Sequence, residues 1–189
     1  MLSFYVHIPY CIKRCGYCDF NTYTPSELQD GATLEIVSGD YIDAVLKELE
    51  AAPKDVVPTI FFGGGTPSLL PPNDLGRVIA AIKARNGITD DCEITLEANP
   101  DSVTQEKLNE LFAVGFNRIS FGMQSSNADV LKVLDRTHNP ENVRKAVDMA
   151  RLAGFQSVSV DLIYGAPGES LSDWAATVKE ALSLNIDHI

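Results

Sequence analysis

The chain has 189 residues, enough for one domain with a substantial core, and its composition of 45% hydrophobic against 22% charged residues excludes a disordered polypeptide. Its formal net charge of −11, with basic residues scattered as in "IKR" at 12–14 and "KAR" at 83–85, argues against a nucleic-acid backbone as the main partner. No apolar run approaches the roughly 20 residues that span a bilayer, and "MLSFYVHIPY" lacks the basic and long apolar regions of a signal peptide, so a cytoplasmic protein that is not transmembrane is expected.

Short β-branched or aromatic runs alternate with amphipathic patterns along the whole sequence. "SFYVHI" (3–8), "TIFF" (59–62), "CEITLE" (92–97), "NRISFG" (117–122) and "SVSVDLIY" (157–164) read as buried strands. Apolar spacing at i, i+3, i+4 predicts helices over 40–52, 73–85, 104–114, 140–153 and 170–184. Asn73, Thr104, Asn139 (followed by Pro140) and Ser170 are expected N-caps, and Gly115 and Gly154 expected stops. This alternation predicts an α/β fold with a parallel sheet, doubly wound or curled toward a barrel. Functional groups then belong at the carboxyl ends of the strands. The closing "LNIDHI" reads as a sixth strand beginning, so a fragment of a longer protein is expected.

In a reducing compartment clustered thiols signal metal or catalysis more often than disulfides. Cys11, Cys15 and Cys18 stand in "HIPYCIKRCGYCDF" with C-x3-C-x2-C spacing, on the loop leaving the first strand. A zinc site commonly needs four ligands from two separated pairs. No second pair exists, since Cys92 is isolated and reads as an ordinary core or surface residue, and His7, His138 and His188 supply no paired spacing. A redox C-x2-C would leave Cys11 unexplained. Three thiolates on one short loop suit a [4Fe–4S] cubane held through three of its irons, with the fourth open to another ligand.

"CIKRCGYC" resembles the signature of the radical S-adenosylmethionine (SAM) enzymes. "YVHIPYC", "FFGGGTPSLL", "LEANP", "RISFGMQSS", "LDRTHN" and "VSVDLIYGAPGES" together resemble the oxygen-independent coproporphyrinogen III oxidase family, and within it the HemW-like heme chaperones. The resemblance implies an open partial (β/α)6 TIM-type barrel, of which residues 1–189 are the radical SAM core without a C-terminal substrate or heme domain. It implies a [4Fe–4S] cluster on Cys11, Cys15 and Cys18, whose open iron takes the amino and carboxylate groups of SAM. An electron from that cluster splits SAM to methionine and a 5′-deoxyadenosyl radical. Heme or a porphyrinogen, an electron donor such as flavodoxin or ferredoxin, and recipient hemoproteins are the partners it implies.

The remaining motifs have readings of their own beside the implied ones. "GGGTP" (63–67) lets a backbone come close to a ligand but is equally a tight turn. By resemblance Gly64, Gly65 and Thr66 hold the SAM amino end. Glu97 and Asp161 are expected in apolar surroundings, where a carboxylate needs a partner. The alternative for either is a structural ion pair, and the resemblance gives Glu97 the SAM ammonium and Asp161 a ribose hydroxyl. Gln124 would share the ribose, or be an ordinary loop amide. Arg136 would meet the SAM carboxylate with its planar fork, or lie on the surface. Tyr5 and Tyr17 would pack near the cluster and the adenosyl group, or in the core. His138 reads as a capping or hydrogen-bonding residue.

Phe20 decides between two related jobs. In the oxidases of this family another cysteine follows the third cluster cysteine by two residues; here the sequence is "CDF". Phe neither ligates nor transfers a proton, and C-x2-C-D-F is the form of the HemW-like group, associated with binding and delivering heme. Oxidative decarboxylation of coproporphyrinogen III, a different radical SAM reaction, and a structural domain without its cofactor remain alternatives; the last predicts broken cysteine spacing, which is not found.

Overall fold

A computed structural model describes residues 2–28, 34–136 and 138–189, with residues 34–36 described by their backbone alone. Five strands, β1 (Ser3–Ile8), β2 (Val57–Gly64), β3 (Ile88–Ala98), β4 (Arg118–Gln124) and β5 (Ser157–Leu162), form one sheet in the order β1-β2-β3-β4-β5. All four pairings are parallel. Six helices join them: α1 (Leu34–Leu49), α2 (Pro72–Asn86), α3 (Gln105–Ala113), α4 (Ala128–Val133), α5 (Pro140–Ala153) and α6 (Leu171–Leu182).

Sequential strand order has a strong consequence. Parallel crossovers turn right-handed almost without exception, so strands added in sequence place every crossover helix on the same face. The burial pattern follows. Ile60 and Phe62 of β2, Ile94 and Leu96 of β3, Ile119 and Phe121 of β4, and Val158 and Val160 of β5 are buried in one apolar core with Leu75, Ile79, Leu108, Leu111, Val143 and Val147 of the helices. Phe62 and Phe116 meet edge to face within it, centroids 5.0 Å apart. Alternate residues take the other face: Tyr5, Phe61, Thr95, Glu97, Arg118, Ser120, Gly122, Ser159 and Asp161. That face is polar, as the concave side of a partial barrel is.

Helix ends obey their local chemistry. The Asn139 side chain accepts from Glu141 N at 3.0 Å with Pro140 in the first turn of α5, and Gly154 closes that helix at φ 105°. Thr104 caps α3, and Ser170 with Asp173 forms a capping box on α6. Three expectations need correction. Asn73 lies inside α2, which starts at Pro72 behind Pro71, because the fixed φ of proline suits the first turn. α1 starts at Leu34 rather than residue 40, running through Ser38 and Gly39, which break the apolar period. α4 was not expected from the sequence; at six residues it is too short to show periodicity, though Asn127 caps it by accepting from Asp129 N at 2.8 Å.

The closing residues run beside β5: Asp187 N donates to Val158 O at 2.8 Å and Val160 N to His188 O at 3.2 Å, a parallel bridge where the sixth strand is expected. Replacing Phe62 by Ala should remove a fully buried ring and its partner contact, lowering stability by about 3–5 kcal/mol. Urea denaturation checks this, and a loss below about 1 kcal/mol would mean the helix-facing side is not the core.

Candidate functional site

The cysteine loop is closed at its base by backbone bonds. Cys11 N donates to Tyr23 O at 3.0 Å and Tyr23 N to Pro9 O at 2.6 Å, while His7 Nε2 meets Asn21 O at 2.9 Å. Inside it, Cys18 N donates to Cys15 O at 3.1 Å, a tight turn that folds the second and third cysteines back together. Arg14 bonds Thr22 and Glu27 across the base. The far side of the loop rests on the segment after α4, where Gly16 N donates to Leu134 O at 3.3 Å and Lys13 pairs with Asp135 at 3.4 Å. A Cβ on Gly16 would lie 2.6 Å from Asp135 Oδ2, so any larger residue there would require the Asp135 side chain to shift.

The turn after β2 continues toward the same loop. Gly65 N donates to Ile8 O at 2.7 Å and Thr66 N to Tyr10 O at 2.8 Å. Gly64 has φ 111°, in the region glycine favours, and a Cβ on Gly65 would sit 2.5 Å from Tyr10 O and 2.9 Å from Ile8 O. Thr66 Oγ1 thereby reaches Cys11 Sγ at 3.8 Å, and across the loop Arg136 Nη1 reaches Cys15 Sγ at 3.5 Å. Cys11 is buried, and that burial raises its thiol above the ordinary value. Tyr17 is pushed up to about 12, chiefly by desolvation, and so remains a neutral phenol.

The carboxylates stand on the polar sheet face, not in the apolar surroundings expected for them. The strand period turns Leu96 and Val160 toward the helices and Glu97 and Asp161 the other way. Glu97 Oε2 accepts from Gly64 N at 3.1 Å; desolvation raises its carboxyl, with Asp161 adding to the effect. Asp161 keeps contact with solvent, yet the protein around it also raises its carboxyl, offset by Ser120 Oγ at 3.1 and 3.0 Å from its two oxygens. Ser120 was not anticipated, though its alternation with Gly122 on β4 puts it on the same face as both acids, level with Glu97 and one row from Asp161.

Gln124 ends β4 with φ 60°, beyond a register shift after Gly122, and is buried. Its carbonyl accepts from Ile163 N at 3.0 Å, which holds this uncommon backbone state. One cavity of about 660 Å3 joins these groups, within the roughly 300–1,000 Å3 of small-molecule sites. Cys11, Cys15, Cys18, Tyr17, Gly64, Gly65, Thr66, Glu97, Gln124, Arg136 and Asp161 all line it. Tyr5 does not: its ring stacks on Phe61 at 5.9 Å and is 57% exposed, beside Gly63. Ile12, Phe20 and Leu69 add apolar surface to the lining, Phe20 at 64% exposure.

These residues fit an iron–sulfur cluster. The cysteines are free thiols opening onto one cavity, with an O–H and a guanidinium N–H directed at two of the sulfurs. Among the described residues, no three His, Cys, Asp or Glu side chains form a group that would hold a single metal ion. A cubane asks for something else, one thiolate at each of three separate corners. The family model of the radical SAM superfamily matches residues 5–181. The chain belongs to the radical SAM superfamily. Membership implies a [4Fe–4S] cluster and SAM.

The chain is 41% identical over 190 residues to "Heme chaperone HemW" of Mycobacterium tuberculosis, covering 98% of this chain and 47% of that protein. It is 36% identical over 192 residues to "Heme chaperone HemW" of Escherichia coli, covering 100% of this chain and 49% of that one. The chain thus spans about half the length of these curated relatives. Among solved structures it is similar to coproporphyrinogen III oxidase (HemN) from Escherichia coli, with TM-score 0.84 and 32% identity over 98% of this chain and 42% of that chain. No helix among the described residues is long and apolar enough to cross a membrane.

Gly65→Ala should force a methyl against the Tyr10 and Ile8 carbonyls, break the turn that carries Thr66, and destabilise the chain by roughly 1–3 kcal/mol; an unchanged urea midpoint would show that the turn yields freely. His138 is held well below its ordinary 6.5, at about 4, by burial first and the Arg136 guanidinium second, against the opposing pull of Asp101. Below about pH 6.5 the unfolded chain therefore binds a proton that the folded chain refuses, so stability falls with pH, by roughly 3 kcal/mol on reaching pH 4 from this group alone. Urea denaturation of wild type and His138→Gln across that window should show the steeper loss in wild type, and equal slopes would refute the assignment.

Proposed function

We propose that the chain is the radical SAM core of a HemW-type heme chaperone, residues 1–189 being that core and heme the cargo. Cys11, Cys15 and Cys18 ligate the [4Fe–4S] cluster. Gly64, Gly65, Thr66 and Glu97 receive the amino end of SAM, Arg136 its carboxylate, and Gln124 and Asp161 its ribose, with Tyr17 packing beside the cluster and Tyr5 below the cavity, out of contact with it. The observation that carries the cofactor part is the convergence on one cavity of thiols, backbone N–H groups, carboxylates and an Arg fork from all five strand ends. When bound, the cluster supplies the electron that cleaves SAM, drawn from a donor of flavodoxin or ferredoxin type in the cytoplasm. The residues of the chain orient SAM and shield it: Gly65 permits close approach, Glu97 opposes a cation, and Arg136 offers a planar fork.

The heme part is supported by two relatives named for that role and by Phe20, an apolar side chain at the cavity where the oxidases of the family carry a cysteine. The similarity to coproporphyrinogen III oxidase favours a second reading, SAM-dependent decarboxylation of a porphyrinogen. The protein, reconstituted anaerobically and given SAM, reductant and coproporphyrinogen III beside an active oxidase, should leave the porphyrinogen unchanged by mass spectrometry. It should then bind heme in a spectroscopic titration and pass it to an apo-hemoprotein. Loss of two carboxyl groups as CO2 would replace the chaperone reading with the oxidase one. Cys15→Ala should hold less than a tenth of the wild-type iron and sulfide after reconstitution; full cluster content would remove Cys15 from the ligand set.

A further inference from the structure

We infer that His138 is a positioning residue for Arg136, holding its guanidinium in one orientation between the cysteine loop and the end of β4. The inference rests on the reading above, in which the cavity takes SAM with its carboxylate toward Arg136. His138 is 4% exposed, and both ring nitrogens are engaged. Nδ1 accepts from Arg136 Nε at 3.3 Å, and Nε2 lies 3.1 Å from the Met123 carbonyl, to which it donates. Those partners select the neutral tautomer with its hydrogen on Nε2.

Arg136 is then fixed along three edges. Nε donates to His138, Nη2 to Gly122 O at 2.8 Å, and Nη1 to Cys15 Sγ at 3.5 Å. These acceptors belong to the segment before α5, to β4 and to the cysteine loop, so the guanidinium plane is set by three parts of the fold at once. Two of its five N–H donors are left for the cavity that Arg136 lines. A bidentate fork recognises a carboxylate only in the correct plane. Without an acceptor at Nδ1 the Nε–H loses its partner, and the plane is free to turn about the last side-chain torsions. Packing alone does not require this arrangement, since a buried apolar side chain of similar volume would fill the same space.

The test uses protein reconstituted anaerobically with iron and sulfide, and calorimetry with SAM. His138→Leu should weaken SAM binding about tenfold or more. His138→Gln, whose amide both accepts from Nε and donates to Met123 O, should recover most of that loss. In an Arg136→Ala background, His138→Leu should add nothing. The midpoint potential of the SAM-free cluster should fall alike in His138→Leu and Arg136→Ala, because the N–H···S contact to Cys15 is weakened in both. Should the Leu variant not fold, His138→Met replaces it. Wild-type affinity and potential in the Leu or Met variant, or an equal loss of affinity in the Arg136→Ala background, overturns the inference. A wild-type protein that holds its cluster yet binds no SAM overturns the site reading instead, and the midpoint potentials still decide the role of His138.

Discussion

The right-handed crossover is the constraint on which the rest of the molecule depends. Strands added in sequence order with that hand send every connecting helix to one side of the sheet. One face therefore becomes the core and the other must live without helices. Ile60, Leu96, Phe121 and Val160 serve the first face; Phe61, Glu97, Ser120 and Asp161 serve the second. Polar groups on the uncovered face are the cheaper solution, because an apolar surface there would stay in contact with water. Chemistry collects at its carboxyl end, where each strand hands over to a loop.

Loops at that end are joined to one another. The turn after β2 is tied to the cysteine loop through Ile8, Tyr10 and Thr66, and the segment after α4 is tied to it through Leu134, Asp135 and Arg136. Both joints use unusual backbone. Gly64 and Gly65 allow approaches that a Cβ would block, and Gln124 and Asp135, at φ 60° and 55°, are the two non-glycine residues with positive φ among the described ones. Such conformations persist only where surrounding bonds over-determine them. Ile163 N on Gln124 O, and Asp135 N and Arg136 N on Lys132 O and Leu131 O, do so here.

Much of this architecture was legible because its signals are local. The five strands carry β-branched runs, and α3, α5 and α6 carry both caps and period. Cys11, Cys15 and Cys18, with "GGGTP", Glu97, Gln124 and Asp161, could be placed at or near strand ends from the alternation, and the structure brings the three cysteines, Gly64, Gly65, Thr66, Glu97, Gln124 and Asp161 to one cavity, with Arg136 joining them from the segment after α4. Long-range facts were not legible. Whether Asp161 meets apolar side chains or an open polar face depends on which side the helices choose, a property of the whole sheet. Tyr5 sits one strand row too low to reach the cavity, and nothing in "SFYVHI" marks the depth of a side chain. α4 hid because six residues show no period, and His138 looked ordinary because its partners, Met123 and Arg136, meet it only after α4 turns the chain back.

Charge balance within the cavity argues for the character of what fills it. Desolvation raises both the Glu97 and the Asp161 carboxyl, and the charge of Asp161 adds to the cost of ionising Glu97. Among the described residues neither has a salt-bridge partner: Arg118, whose charge partly offsets the rise of the Asp161 carboxyl, is committed to Glu93 at 3.1 Å. Ser120 and Gly64 N–H supply dipoles where a structural pair would supply a full charge. A fold that wanted these acids only for stability would have closed them with Lys or Arg, since unpaired carboxylates in partial burial oppose folding. Arg136, lining the same cavity, carries the opposite imbalance, with its donors turned on a thiol and two uncharged acceptors. Two acids and a guanidinium that have no salt-bridge partner among the described residues complement a ligand that carries both a cationic and an anionic group. On the proposed reading SAM meets that description, its ammonium facing Glu97, its ribose Asp161 and its carboxylate the guanidinium, so the unbalanced charges of the cavity become its selectivity.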